Sequence, residues 1–96
     1  MPVFAVIPLV SDSSLLDRAV EAAFPNVPDK LKLNNGRGWL VVFDGTSKSV
    51  CDHIGITGQP EGQPGPLGAA LVVPFSSYYG RGSNDMWEWL ALKLAT

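Results

Sequence analysis

The residues of this chain that could do chemistry are few, and most stand in two places. Cys51, Asp52 and His53 are consecutive, and a Tyr-Tyr-Gly-Arg-Gly run, Tyr78–Gly82, leads into the C-terminal segment. A thiol close to an imidazole is the minimum for nucleophilic catalysis. On a helix, though, near neighbours in sequence face different ways, so Cys51 and His53 make a poor pair, and Asp52 and His53 a poor dyad. Cys51 reads instead as a small buried hydrophobe, and His53 as a surface residue. The single cysteine allows no intrachain disulfide and no cysteine-based zinc site.

Gly-Arg-Gly occurs twice, at Gly36-Arg37-Gly38 and Gly80-Arg81-Gly82. Each puts a guanidinium on a turn. Arg81 precedes a helix start, and with Tyr78 and Tyr79 it could grip an anion or stack on a base. Arg37 is a weaker candidate of the same kind. The competing reading, which the sequence favours, makes Arg81 a clamp that pairs with Asp85, Glu88 or a partner's carboxylate. Asp85 and Glu88 follow about one and two helical turns after it, and no basic residue neighbours it in sequence.

Composition bounds the partners. Ninety-six residues make a single domain spanning 1–96. Hydrophobic residues are 46% of the chain and charged residues 17%, an apolar balance for so small a domain. Some of that surface is expected to be covered by another copy, so a homo-oligomer, a dimer or larger, is the expected state. The net charge is −2, and the basic residues are scattered rather than gathered into a face. Nucleic acid or another protein remains a possible partner. The N-terminal apolar run lacks the basic flank of a signal peptide and is too short to span a membrane. A reduced cytoplasm fits, and no cofactor is called for.

The elements follow from pattern. Residues 3–9 are continuously apolar and predict a central strand, and 38–43 predict a second. Lys30-Leu31-Lys32-Leu33 alternates, which suits an exposed edge strand over 30–34. Asn35-Gly36 is a hairpin turn pair. Residues 69–79 form a fourth strand that contains Pro74, which favours the opposite edge. Helices are expected at Leu15–Phe24, with Ser14 and Asp17 as a capping box, at Ser47–Ile54, closed by a left-handed Gly55, and at Asp85–Ala95. Thr57–Leu67 is rich in proline and glycine and reads as a mobile loop or a lid. The order predicts an α+β, ferredoxin-like βαββαβ sandwich with strand order 4-1-3-2 and an additional C-terminal helix. That last helix is apolar almost all round. Met86, Trp87, Leu90 and Leu94 share one face, while Trp89 and Leu92 point away, so Trp89 and Leu92, with Trp87 nearby, are the expected oligomer contact.

Gly38-Trp39-Leu40-Val41, Gly45-Thr46, Ile54-Gly55-Ile56 and the C-terminal SSYYGRGSNDMWEWL run resemble a group of short, uncharacterised bacterial proteins. The resemblance implies no catalytic residue. More distantly, the element order is similar to that of Cas2-like and SinR-type small proteins, which dimerise and often touch nucleic acid. That similarity implies an acidic residue after the first strand as a metal ligand, for which Asp12 is a weak candidate. Asp12 is equally a helix cap, and the basic face of such proteins is missing. The function expected is a small oligomeric binding or scaffolding protein without catalysis. The alternatives are a Cas2-like nucleic-acid-binding or nuclease-like protein, and a small-molecule enzyme of the dimeric α+β barrel type with its pocket between sheet and helices.

Overall fold

The computed structural model describes residues 2–33, 37–63, 65–82 and 84–94. Its elements are β1 (Val3–Pro8), α1 (Ser14–Ala23), a 3-10 turn (Val27–Asp29), β2 (Lys30–Lys32), β3 (Trp39–Val42), α2 (Ser47–Ile54), β4 (Ala70–Phe75) and α3 (Asn84–Leu94). The expected Asn35-Gly36 turn, and Ala95 at the expected end of the last helix, lie outside the described residues. The four strands form one antiparallel sheet in the order β2-β3-β1-β4. The two continuously apolar strands are central, because only there are both faces of a strand covered. The lysine strand and the proline strand are edges, where a missing or unpaired amide is tolerated.

The register sorts side chains onto two faces, since residues directly opposite one another across a strand pair share a face. Val3 stands opposite Val42 and Phe75, and Ala5 opposite Leu40 and Val73. Phe4, Val6, Trp39, Val41 and Val72 occupy the other face, where Leu16 and Val20 of α1 and Val50 and Ile54 of α2 cover them. The face of Val3, Leu40 and Val42 is closed by Leu90 of α3, with Met86, Trp87, Trp89 and Leu94 around it. Each large apolar side chain buried this way contributes about 1.5–3 kcal/mol. That is why the helix settles on the sheet.

Several local expectations change. β4 ends at Phe75 rather than continuing to residue 79. The reason is geometric: Phe75 pairs with Val3, where β1 begins, so the chain beyond it has no neighbour to pair with. Residues 76–82 therefore leave the sheet and cross to α3. The Ser14–Asp17 capping box is absent. α1 starts at Ser14, whose amide donates to the Asp12 carboxylate at 3.0 Å. Asp17 turns to the sheet instead, accepting from the Trp39 indole at 2.9 Å and from Lys32 at 3.4 Å. α2 spans the expected residues and carries a reciprocal Thr46–Ser49 cap at its start. It ends on Gly55 at φ +101, whose amide and that of Ile56 both donate to Cys51 O. The Pro/Gly segment beyond is anchored at both ends: Gln59 donates to Gly55 O at 2.8 Å, and Ile56 and Leu67 fold back onto the first core. Among the described residues no helix is long and apolar enough to cross a membrane.

Candidate functional site

Each chemically capable residue can now be followed to its place. Cys51, half-buried, packs against the first core, and burial, then the charge of Asp52, hold its thiol above the ordinary value. Asp52 accepts from the Thr57 hydroxyl and from Lys48 at 2.9 Å; these bonds, Thr57 first, lower its pKa. His53 is exposed, as a surface histidine should be, yet its ring is used. Nε2 lies 2.9 Å from Ala23 O at the end of α1, and the ring sits 5.3 Å from Phe24 and 5.0 Å from Phe43. A carbonyl can only accept, so Nε2 carries the proton in this bond. The three consecutive residues thus serve a core, a helix end and an interhelix contact, and form no common site.

Asp12 acts as a cap. The Ser14 amide, followed by the Ser14 hydroxyl, lowers its pKa. Among the described residues no group of three His, Cys, Asp or Glu side chains is placed to hold a metal ion. Arg37 spends its guanidinium on backbone, donating to Val10 O at 2.7 Å and Ser11 O at 3.2 Å. It ties the end of the β2–β3 connection to the loop after β1.

The clamp expected of an arginine is therefore Arg37, and the expected clamp of Arg81 is absent. Among the described residues, Arg81 makes no ion pair with Asp85 or Glu88 and no hydrogen bond, and it is exposed. What Arg81 does have is a position. It stands at a groove of about 300 Å³ between the sheet and α3. Ala5, Leu40 and Phe75 form the floor, Met86, Trp87 and Leu90 the helix wall, and Tyr78–Arg81 the rim. Tyr78 stacks on Trp87 with centroids 5.7 Å apart and planes 14° apart, and its edge meets Phe75. Tyr79 is fully exposed beside it. A smaller hollow of about 240 Å³ shares Tyr78, Tyr79, Gly80 and Trp87 with it.

The groove has a local cause. β4 stops for want of a partner, so its continuation swings across the end of the sheet and brings Tyr78 and Tyr79 to α3. Beneath it the central strand carries Ala5, whose methyl group cannot fill the space that flanking valine or leucine side chains would. Sequence reasoning picked out Arg81, Tyr78 and Tyr79 but missed the floor. The available signal was Ala5, the one small residue in an otherwise bulky apolar strand.

The expected oligomer contact is divided. Trp89 is half-buried against the second core, and its indole donates to Pro28 O at 3.2 Å. Trp87 belongs to the groove. Leu92 remains exposed at 62%. A further apolar strip lies where α3 does not reach, at the cross-strand pair Ile7 and Leu71, exposed at 37% and 48%.

The chain matches no protein-family model, and searches against curated proteins and solved structures return no significant match.

Proposed function

We propose that this chain is a small, non-catalytic binding protein of ferredoxin-like architecture whose ligand site is the groove between the sheet and α3. The observation that carries this reading is the combination of an apolar floor, a stacked aromatic wall and one arginine without a partner among the described residues. Apolar pockets with a few convergent polar groups are where small ligands bind, and about 300 Å³ is at the lower end of their size range. The βαββαβ order and the covering of one sheet face by two helices support the architecture. The engagement of Asp12, Asp52 and His53 in caps and interhelix contacts supports binding over catalysis. Nucleic-acid binding is less favoured, because Arg81 is the sole charged side chain among the described residues lining the groove.

The test is heteronuclear NMR against a panel of small apolar and aromatic compounds. Shifts clustered on Phe75, Tyr78–Arg81 and Met86–Leu90 are the expected result. Shifts scattered over the surface, or none, would remove the reading.

Self-association is the second part of the proposal. The Ile7–Leu71 strip belongs to the sheet face that α3 covers only in part. A neighbouring copy seated there would remove it from water, with Leu92 as the remainder of the contact expected on α3.

A further inference from the structure

We infer that the groove selects a planar aromatic monocarboxylate, an inference that rests on the binding reading above and narrows it to a ligand class. Three features of the site converge on it. First, among the described residues the lining is apolar or aromatic apart from Arg81, so a ligand with more than one charge would leave the rest unpaired in an apolar slot. Second, the donor is a guanidinium rather than an ammonium. Its fork of N–H groups matches the two oxygens of a carboxylate, and no other described side chain already occupies that fork. Third, the wall is aromatic: Tyr78 is stacked on Trp87, and Tyr79, wholly in water, stands at the rim where it can close over a bound ring. The groove has a volume of about 300 Å³. That size suits a one- or two-ring acid.

The loop chemistry permits the approach. At Gly80 a Cβ would meet nothing, whereas one at Gly82 would meet Met86 and Trp87, so Arg81 sits between an open position and one packed on α3. The depth comes from Ala5, which stands opposite Leu40 of β3 and Val73 of β4.

The probes are 2-naphthoate, its neutral analogue 2-naphthylmethanol, and octanoate as an aliphatic acid, titrated by NMR and by fluorescence of the parent chain. 2-Naphthoate should bind at least about tenfold more tightly than the alcohol, the ratio expected of a charged hydrogen-bonded pair. Arg81→Ala should erase that ratio by weakening the acid far more than the alcohol, and Arg81→Lys should restore part of it. Ala5→Leu, which fills the floor, should abolish binding of both; a retained melting temperature and dispersed spectrum show that it folds. If the alcohol binds in the groove as tightly as the acid, the carboxylate inference fails and the binding site stands. Octanoate equal to naphthoate overturns the aromatic part. If no probe shifts the groove resonances, the binding reading itself falls. A single-stranded oligonucleotide that shifts the same resonances with a steep salt dependence overturns the small-acid inference in favour of nucleic acid.

Discussion

At the residue scale, Asp17 joins more of the structure than any of the side chains the sequence marked for chemistry. One carboxylate receives the Trp39 indole and the Lys32 ammonium, linking α1 to two strands, while Lys32 also lies 5.4 Å over the Trp39 ring. Asp17→Ala strands a buried indole N–H, so urea denaturation should report a loss of about 1.5–3 kcal/mol. Lys32→Ala removes the more exposed partner, 44% accessible against 19% for Asp17, and should cost less than about 1 kcal/mol. Equal losses would assign the stability to the ion pair rather than the indole bond. Asp12 and Asp52 bear on pH. Both titrate below the ordinary 3.8 when folded, so around that pH the folded chain binds fewer protons than the unfolded chain. Their contribution is complete above pH 3.8 and is lost as the pH falls through their lowered folded values. The parent should therefore lose melting temperature on acidification more steeply than an Asp12→Asn/Asp52→Asn variant, the two curves converging at low pH. Parallel curves would show that neither bond matters.

At the element scale, two glycines divide conformational from steric cost. Gly55 closes α2 at φ +101, and a Cβ there meets only Leu67 Cδ1 at 4.0 Å. Gly55→Ala should cost about 1–2 kcal/mol, the left-handed penalty alone. Gly38, at φ +110, has its Cβ position 2.8 Å from the Val6 carbonyl of the neighbouring strand. Gly38→Ala must both strain the backbone and push β3 from β1, so its loss should be clearly the larger in the same denaturation experiment. α3 is a helix with two duties. Leu90 covers Val3, Leu40 and Val42, and Trp89 reaches back to Pro28, so Trp89→Ser should lower the melting temperature, and Leu92→Ser should lower it much less. Equal sensitivity of the two would place Leu92 in a contact that stabilises the fold.

At the scale of the whole molecule, the sheet is covered unevenly. One face is shared by two helices, and the other has a single helix lying toward β3 and β2, which leaves Ile7 and Leu71 in water. Ile7→Ser/Leu71→Ser should reduce the particle mass seen by light scattering, with the far-UV circular dichroism preserved. An unchanged mass would place the contact elsewhere or show the parent to be a monomer.

Much of the fold was legible because it depends on patterns that water enforces locally. Continuous apolar runs marked β1 and β3 as central, alternating lysines and Pro74 marked the edges, and Gly55 marked the end of α2, since each feature is intelligible from its own neighbours in sequence. The candidate site was legible only as separate residues. Tyr78, Tyr79 and Arg81 were visible, but which arginine is a clamp and which is left without a partner was not. The carbonyls that hold Arg37 belong to a loop 26 and 27 residues away, whereas the two carboxylates nearest Arg81 in sequence do not bind it. Asp17, read from sequence as a cap, proved to be an indole acceptor for the same reason: its partner is 22 residues distant. The end of β4 was likewise decided by where β1 begins. Only the tertiary structure places Ala5 beneath the Tyr78–Trp87 stack, because a groove is a space between elements, and no single element's sequence encodes it.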